Sequence, residues 1–403
     1  MKRNIRVLHT ADLHLGSPFV YLDSAKQRAM RLEQEKVFFE IINICRKENV
    51  DFLTIGGDLF DSISPDKELL ERVYQGFSAI SQVEIIINPG NHDYWHQAGL
   101  WQFFFDLQHV HIFEPQTEFF EFTDRKIRFY GKPFISQSSP QPLWQEIDLF
   151  LDSTCFNVLL QHGDLQCPNS KSNYNPLNYS WLDRCGFDLV LLGHIHKSDK
   201  EVLTEKGIPC LYSGCPCGRG FDEDGSKGVF LIELIEGIEM GQISFVPLAG
   251  PKFFKIRIDL SPIIFDTQLE LQDKILIALE KRIAAYRIRS NYDCCQLKLD
   301  GFISQKVNRE LLLTKLQEIF FYVELRDETK MKIDFTGLIE EHSLRGDVTR
   351  YAKQLAAEPD LLNKVLEDLG LRNLNAEQAK QVIEQGYFFT MQAAEQDLDI
   401  YEN

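Results

Sequence analysis

The sequence lacks any apolar run approaching the roughly 20 residues that a membrane-spanning helix needs. A signal-peptide core is missing too, because the basic N-terminus (Lys2, Arg3 and Arg6) is followed by only a few apolar residues before His9. Hydrophobic residues make up 44% and charged residues 26% of the 403 residues, which is ordinary for a globular chain. These absences favour a cytoplasmic protein with no membrane partner.

An excess of positive charge is also missing. The 43 Lys and Arg residues are outnumbered by 60 Asp and Glu residues, which gives a formal net charge of −17 at pH 7. This balance argues against a protein that holds nucleic acid by bulk charge. Two local basic clusters remain. We expect each to be a solvent-exposed protein surface rather than a binding site for the phosphates of a nucleic-acid backbone. They are Arg125, Lys126, Arg128 and Lys132, and Lys281, Arg282, Arg287 and Arg289.

Cysteine pairs at zinc-binding spacing are absent. The chain has nine cysteines, and only Cys215 with Cys217 and Cys294 with Cys295 are close in sequence. Neither spacing is that of a zinc knuckle, and no secretory context favours a disulfide framework. We therefore expect reduced, structural thiols.

The first 250 residues alternate short β-branched runs with helical or polar stretches. Uninterrupted apolar runs suit strands that are buried on both faces, which predicts an α/β fold with sheet inside helical layers. The spacing of apolar residues predicts helices over Gln27–Glu48 and Asp66–Ser81. The predicted strands are Ile5–Thr10, Phe52–Ile55, Glu84–Asn88, Ile127–Tyr130, Phe156–Gln161 and Leu189–Leu192.

The pattern breaks at Pro247–Pro251, which we interpret as a linker between domains. The predicted domains are therefore residues 1–250, a small α+β domain over residues 251–336, and a helical, acidic region over residues 337–403 that is a candidate partner-binding arm. The elements predicted for the second domain are strands at Phe253–Ile258, Cys294–Leu299 and Lys330–Phe335 and helices at Thr267–Tyr286 and Val307–Phe320.

Metal-binding residue types follow five of the predicted strands. Ligands of layered α/β folds gather outside the carboxyl ends of strands, so these side chains are expected to converge. Mixed oxygen and nitrogen donors without thiolate favour Mn²⁺, Fe²⁺ or Zn²⁺. Each motif alone is weak, but five of the ten histidines lie in such motifs. The candidate ligands are Asp12, His14, Asp58, Asn91, His162, His194 and His196.

In sequence order these motifs resemble the five blocks of the calcineurin-like metallophosphoesterases. The resemblance implies a layered α-β-β-α sandwich with a dinuclear metal site. It implies that Asp58 bridges the two ions, that Asp12, His14 and His196 complete one ion's ligands, and that Asn91, His162 and His194 complete the other's. The matching segments are Asp12-Leu13-His14, Gly57-Asp58, Gly90-Asn91-His92-Asp93, His162-Gly163 and Gly193-His194-Ile195-His196.

The mechanism expected of such a site is hydrolysis without a covalent enzyme intermediate. Two divalent ions lower the pKa of a water molecule, and the resulting hydroxide attacks the phosphate ester in line. His92 matches the family's catalytic histidine and is expected to donate a proton or hydrogen bond to the phosphate or the leaving oxygen. The alternative is that His92 only supports Asp12 or Asp58.

The flanking segments are similar to the DNA-repair nuclease branch, to the SbcD-like family and more closely to the YhaO-like exonuclease family. Ser62 stands where protein phosphatases of the superfamily carry arginine, which weakens the phosphatase alternative. The branch implies Mn²⁺-dependent 3′-to-5′ exonuclease and endonuclease activity on DNA, residues 251–336 as a DNA-capping domain, a coiled-coil ATPase partner and a homodimer. The similar segments are His9–Gly16, Gly57–Asp61, Ser213–Pro216, Gly218-Arg219 and Phe221–Glu223.

Two other functions stay open. A small-molecule phosphodiesterase or phosphatase with the same metals is favoured by the acidic net charge, and a non-enzymatic scaffold for an ATPase is disfavoured by the complete ligand set. Arg219 is either a phosphate contact or a surface residue. His9 and Asp61 are expected to support the site, whereas Phe302 and Tyr322 are expected to pack in the core rather than stack on bases.

Overall fold

The computed structural model describes residues 4–144, 149, 151–166, 172–198, 202–223, 225–235, 239–331, 339–371, 378, 382, 386–387 and 390. In chain order the strands are β1 (Ile5–Thr10), β2 (Phe52–Ile55), β3 (Glu84–Ile87), β4 (Val110–Ile112), β5 (Phe119–Phe122), β6 (Ile127–Tyr130), β7 (Phe156–His162), β8 (Asp164–Gln166), β9 (Pro176–Asn178), β10 (Leu189–Gly193), β11 (Val202–Leu203), β12 (Pro209–Tyr212), β13 (Gly228–Ile235), β14 (Glu239–Pro247), β15 (Phe253–Asp259), β16 (Cys294–Asp300), β17 (Phe302–Ile303), β18 (Tyr322–Asp327) and β19 (Lys330–Met331). The helices are α1 (Ser24–Lys47), α2 (Lys67–Ser78), α3 (Tyr179–Cys185), α4 (Gln268–Tyr286), α5 (Arg309–Ile319), α6 (Leu344–Ala357) and α7 (Pro359–Asp368), with a 3-10 helix at Leu100–Phe104.

Two six-stranded sheets form the first part of the chain. The first has the order β14-β13-β1-β2-β3-β4, and the second has the order β11-β12-β10-β7-β6-β5. Strands β1 to β4 run parallel to one another, as do β6, β7, β10 and β12. Because parallel strands end at the same edge of a sheet, the segments after β1, β2 and β3 meet at one edge, and those after β7 and β10 meet at one edge of the other sheet.

Three apolar interfaces separate four layers. In β1, Leu8 packs with Phe38 of α1 on one face, whereas Val7 on the other face packs in the cluster that joins the two sheets. The outer face of the second sheet packs on Trp181 of α3. Each large apolar side chain buried in this way contributes about 1.5–3 kcal/mol. The order helix, sheet, sheet, helix confirms the layered α/β fold.

Helix α1 shows how the sequence specifies one of these layers. Asp23 caps its N-terminus by accepting hydrogen bonds from the backbone N–H groups of Ala25 and Lys26. Its buried residues recur at helical spacing, from Met30 through Val37 to Cys45. The helix therefore presents one apolar stripe to the first sheet. The predicted helix differs from it by three residues at the start and one at the end.

His9 connects the two sheets. Its Nε2–H group donates to the carbonyl of Leu192 in β10 at 3.1 Å, and its Nδ1 lies 3.1 Å from the hydroxyl of Thr54 in β2. Burial lowers the pKa of His9 to about 4, so the ring is held neutral between the sheets. This is a structural role close to the one expected from the sequence.

A smaller sheet follows, with the order β15-β16-β18 and with β16 parallel to β18. The strand β18 had no counterpart among the predicted strands, because only Val323 and Leu325 are apolar in a charged segment. Of the strand predicted at Lys330–Phe335, β19 is described and the remainder lies outside the described residues.

By compactness the chain divides into two units. One comprises residues 1–258, 265–299 and 308–327, and the other comprises residues 259–264, 300–307 and 328–403. The domain boundaries at 250/251 and 336/337 stay predictions, and residues 336 and 337 lie outside the described residues. None of the helices in the described part of the chain has the length and apolar character to cross a membrane.

Several single-residue expectations can be compared with the structure. The eight cysteines among the described residues are free thiols, seven of them buried, as expected for structural cysteines. Tyr322 packs against Tyr21 and Phe221, at ring-centroid distances of 5.3 and 6.1 Å. The expectation that Phe302 packs in the core is wrong, since this side chain on a two-residue strand is 46% exposed.

The first basic cluster is largely engaged by the protein. Arg128 binds Glu121 at 2.8 Å and Asp152 at 3.0 Å, and the ammonium group of Lys132 donates to the carbonyl of Pro115 at 3.2 Å. In the second cluster, Arg289 pairs with Asp293 at 2.7 Å. Arg128, Lys132 and Arg289 are therefore neither freely solvated nor available to bind the phosphates of a nucleic-acid backbone.

The neutral state of His9 predicts a dependence of stability on pH. Its pKa of about 4 in the folded protein lies below the ordinary 6.5, so the unfolded chain takes up the proton first as the pH falls. The neutral His9 ring therefore contributes on the order of 3 kcal/mol to the free energy of unfolding. This contribution is fully present above pH 6.5 and is lost as the pH falls towards 4. Urea unfolding of the metal-free protein should show a smaller slope of stability against pH in His9→Gln, which cannot titrate. His96→Gln, at an exposed position, is the control, and equal slopes in wild type and His9→Gln would contradict the prediction.

Candidate metal centre

The candidate ligands lie on sharply bent loops at the carboxyl ends of the strands. Asp12, His14, Asp58 and His194 have φ values of 55°, 47°, 51° and 99°. Residues other than glycine seldom adopt these left-handed conformations, and such strain concentrates at functional sites. The loops are therefore shaped for the positions of their side chains rather than for the stability of the backbone.

Backbone hydrogen bonds join the first two ligand loops. The N–H of Asp12 donates to the carbonyl of Gly57 at 3.0 Å, and the N–H of His14 donates to the carbonyl of Asp58 at 2.9 Å. Gly57 has a φ of 99°, and a Cβ atom there would come within 2.5 Å of the Nδ1 atom of His162. Only glycine allows this approach, which brings a ligand from the second sheet beside those of the first.

Asp93 fixes the loop that carries Asp58 against the loop that carries Asn91. Its buried carboxylate accepts hydrogen bonds from the backbone N–H groups of Asp58 at 3.2 Å, Phe60 at 3.1 Å and Gly90 at 2.8 Å. Burial, with the nearby charge of Asp58, raises the pKa of Asp93 to about 7. Sequence reasoning assigned Asp93 no role, although its place directly after Asn91 and His92 was the available signal.

One half of the site is built around His14 and His196. Their Nε2 atoms lie 3.2 Å apart, while the Nδ1 of His14 faces Asp61 at 3.1 Å and the Nδ1 of His196 faces Glu223 at 2.7 Å. A carboxylate can only accept, so each Nδ1 carries the proton and each Nε2 presents a lone pair. Together with Asp12, these two rings form a group able to hold a metal ion.

The other half is built around His162. Its Nδ1–H group donates to the carbonyl of Gly56 at 2.9 Å, so its Nε2 lone pair faces the Oδ1 atom of Asn91 at 3.0 Å and the Oδ2 atom of Asp58 at 3.4 Å. The same Oδ2 atom lies 3.6 Å from the Nε2 atom of His14. Asp58 thus lies between the two halves, where a bridging carboxylate belongs.

His194 and Asp12 are joined through the backbone. The N–H of His194 donates to both carboxylate oxygens of Asp12 at 3.0 Å, and the His194 ring lies 5.3 Å from that of His162 between centroids. Tyr174 covers the His194 ring at 4.7 Å. All seven predicted ligands are therefore in one place, with His194 at the edge of the cluster.

The charge states of the site suit metal coordination. Burial raises the pKa of Asp12, lowers the pKa of His14 well below its ordinary value, and lowers the pKa of His194 to about 4. Burial opposes a charged ring at His196, but the hydrogen bond with Glu223 and the negative charges of Asp12 and Glu223 together outweigh it and raise the pKa of His196. His14 and His194 are therefore held as neutral rings, the form in which imidazole binds metals.

These residues fit divalent metal ions. Lone pairs of His14, His162, His196, Asn91 and Asp58 face one another at distances of 3.0 to 3.6 Å, an arrangement that needs a shared proton or cation. A proton bridges one such pair at a time, whereas divalent cations accept several of these donors together. The donors are oxygen and nitrogen atoms without thiolate, as Mn²⁺, Fe²⁺ and Zn²⁺ accept.

His92 lies at the exposed mouth of this cluster. Its backbone N–H donates to Asp58 at 2.9 Å, its Nδ1–H group faces the carbonyl of Asp61 at 3.2 Å, and its ring lies 4.7 Å from that of His14. The backbone of His92, and not its imidazole, supports Asp58. The ring is therefore accessible to a substrate, with its orientation fixed at Nδ1.

Arg219 is not a plain surface residue, because its guanidinium is largely buried beside the site and pairs with two carboxylates. Its side chain is 19% exposed and pairs with Asp61 at 3.0 Å and Glu223 at 3.1 Å, and its Nη2 atom lies 3.0 Å from the Nδ1 atom of His196. Glu223, to which no role was assigned, is buried beside it. The signal in the sequence was the spacing of the two residues, four apart in a segment already resembling the nucleases.

Comparison with known proteins identifies the family that this chain resembles. Residues 5–198 match the calcineurin-like phosphoesterase family. The uncharacterized metallophosphoesterase YhaO of Bacillus subtilis is 27% identical over 246 residues, which is 59% of this chain and 59% of that protein. A component of the SbcCD nuclease of Staphylococcus epidermidis is 24% identical over 84% of this chain and 94% of its own length. The DNA double-strand break repair protein Mre11 of Methanopyrus kandleri is 23% identical over 84% of this chain and 76% of its own length. The resemblance drawn from the motifs is confirmed.

The three hydrogen bonds to Asp93 predict that Asp93→Asn destabilises the protein. Asparagine keeps one acceptor oxygen but turns an amide N–H towards a backbone N–H, which leaves a buried donor without a partner. We expect a loss of about 1–3 kcal/mol in the free energy of unfolding, measured by urea titration in metal-free buffer. The control is Asp106→Asn, where an exposed carboxylate accepts a hydrogen bond from Tyr74. Equal stability of the two variants would show that Asp93 does not hold the loops.

Proposed function

We infer that this chain, which belongs to the calcineurin-like phosphoesterase family through residues 5–198, is a metal-dependent phosphoester hydrolase that cleaves DNA. The observation that carries the inference is the convergence of seven ligands with an accessible histidine beside them. Such a site can polarise and hydrolyse a phosphate ester. DNA as the substrate is supported by the likeness to a nuclease component and to a DNA repair protein, each over 84% of the chain.

The residues that would hold the ions divide into two groups. Asp12, His14 and His196 would hold one ion, Asn91, His162 and His194 would hold the other, and Asp58 would contribute to both. Bound divalent ions supply an activated water nucleophile and positive charge around the phosphate. We expect Mn²⁺ as the physiological ion from the resemblance to the nuclease branch, and the oxygen and nitrogen donor set is compatible with it.

His92 would donate the proton that the leaving oxygen requires. The carbonyl of Asp61 accepts from Nδ1–H, so the ring presents Nε2 towards the mouth of the cluster. Proton donation from His92 would therefore proceed through Nε2. Proton donation of this kind accelerates cleavage by about 10²–10⁴-fold when the leaving oxygen is a poor leaving group.

Assembly with other chains is a further part of this proposal. The relative from Staphylococcus epidermidis is named as one subunit of a nuclease, which supports a protein partner for this chain as well. We expect a coiled-coil ATPase in that role, a homodimer of this chain, and residues 251–336 as a cap over the substrate. The helical region after residue 337 is the candidate for contact with the ATPase.

A small-molecule diester is the second candidate substrate. The net charge of −17 favours it, because a short substrate needs no extended basic surface. Arg128 and Arg289 are paired with carboxylates, so these two cations are less available to an extended DNA-binding surface.

Labelled DNA incubated with Mn²⁺ tests the proposed substrate, and its products report 3′-to-5′ exonuclease and endonuclease cleavage separately. Wild type should degrade DNA, and His92→Ala should be about 10²–10⁴-fold slower while still binding two ions. With bis(para-nitrophenyl) phosphate, whose leaving group needs no proton, the same substitution should have a much smaller effect. His96→Ala, an exposed histidine nearby, is the matched control.

The outcomes are distinct. If wild type hydrolyses the small diester but does not cleave DNA, the substrate is a small molecule and not DNA. An equal loss on both substrates in His92→Ala would contradict proton donation. The absence of any turnover in metal-loaded wild type would favour a scaffold for a partner.

A further inference from the structure

The two imidazoles in one half of the metal centre are oriented by carboxylates. The Nδ1 atom of His14 lies 3.1 Å from Asp61, and the Nδ1 atom of His196 lies 2.7 Å from Glu223. In the other half, His162 uses a backbone carbonyl for the same purpose. Carboxylates thus orient both imidazoles of the half that contains His14 and His196, whereas a backbone carbonyl orients His162.

Arg219 joins the two carboxylates. Its Nη1 atom lies 3.0 Å from Oδ1 of Asp61, and its Nε and Nη2 atoms lie 3.2 and 3.1 Å from Oε1 of Glu223. Its backbone N–H also donates to Oε2 of Glu223 at 2.8 Å. The planar guanidinium fixes the spacing of both carboxylates, because its donors point in set directions.

A second layer of contacts immobilises this arrangement. Ser17 donates to Asp61 at 3.2 Å, and the thiol of Cys215 lies 3.1 Å from Glu223. The buried ammonium group of Lys227 lies 2.9 Å from that thiol. Glu223 also accepts from the backbone N–H and the side chain of Arg219, so both of its carboxylate oxygens act as acceptors.

An imidazole that binds a metal must present one nitrogen without a proton. A free ring exchanges between two tautomers and rotates, whereas an acceptor at Nδ1 fixes both the proton and the ring plane. Arg219 approaches the His196 ring as well, but the shorter contact at Nδ1 is with Glu223. The carboxylate therefore determines the tautomer.

We propose that Asp61, Arg219 and Glu223 form a positioning clamp, defined by these three residues, that aims the Nε2 atoms of His14 and His196 at one metal ion. The clamp rests on the ligand set of the proposed function. None of its residues is a ligand or a proton donor in that proposal. Its specific consequence is that the two ions differ in their dependence on the clamp, since His162 is oriented independently of it.

Titration calorimetry with Mn²⁺ on the full chain tests the clamp. Wild type should bind two ions. Glu223→Gln keeps the shape of the side chain but removes its negative charge. Arg219→Lys keeps the positive charge but replaces the planar guanidinium, with its several N–H donors, by a single ammonium group. In both variants the affinity for one ion should fall about 10- to 100-fold, and the affinity for the other should change much less.

A readout independent of metal and of activity comes from nuclear magnetic resonance. Proton–nitrogen correlation spectra of the metal-free protein, recorded at a pH at which the His196 ring is neutral, should show its proton on Nδ1 in wild type. In Glu223→Gln, whose amide can accept or donate, the ring should be a mixture of tautomers. A role in folding alone would leave the tautomer unchanged.

Arg128→Lys is the matched control. Arg128 also bridges two carboxylates, Glu121 and Asp152, and its side chain is 17% exposed against 19% for Arg219. This substitution should leave both affinities unchanged.

The possible results separate the clamp from the function on which it rests. A wild type that does not bind two ions overturns the proposed metal centre. A wild type that binds two ions, with variants that bind both equally well, overturns the clamp alone. If Glu223→Gln does not fold, Arg219→Lys decides by the same comparison of the two affinities.

Discussion

The metal centre depends on the close approach of the two six-stranded sheets where β2 and β10 end. A Cβ atom at Gly193 would lie 2.1 Å from the carbonyl oxygen of Gly56, so only glycine permits the backbones to come this near. His9 spans the sheets a few residues earlier, with partners in β2 and β10. Since His14 and Asp58 come from one sheet and His162 and His196 from the other, a wider separation would leave two incomplete sets of ligands.

Such proximity has an energetic cost that the rest of the fold must offset. Buried carboxylates and lone pairs face one another, and four ligand residues adopt left-handed backbone conformations. The apolar clusters between the layers provide the compensating free energy, and hydrogen bonds accepted by the carboxylates of Asp93 and Asp61 hold the strained loops in place. An ion that binds only the folded state adds stability according to its concentration and affinity. We therefore regard the centre as a part of the fold that is completed by its cations.

Much of this could be predicted from the sequence, because the relevant signals are local. Strand β1 was predicted with its observed bounds, since an apolar run identifies a strand buried on both faces. The candidate ligands could be predicted to converge because each follows such a strand within a few residues. Asp93, Arg219 and Glu223 could not be assigned, because their roles depend on contacts with loops distant in sequence: Arg219 meets Asp61 across 158 positions. The strand β18 was missed for a related reason, because its two apolar residues alternate with charged ones and only its pairing with β16 identifies it.

The acidic net charge, which by itself argues against DNA as the substrate, has a different meaning once the site is described. Carboxylates are concentrated at the candidate metal centre: Asp12 and Asp58 are among the candidate ligands, and Asp61 and Glu223 lie behind them. Divalent ions bound there would more than neutralise the two candidate ligand carboxylates, while Arg219 offsets one of the two negative charges behind them. A phosphate would then meet positive charge at the centre and negative charge over much of the surface. Attraction would be confined to the scissile group, which suits an enzyme that must release its product more than a protein that must hold a long duplex.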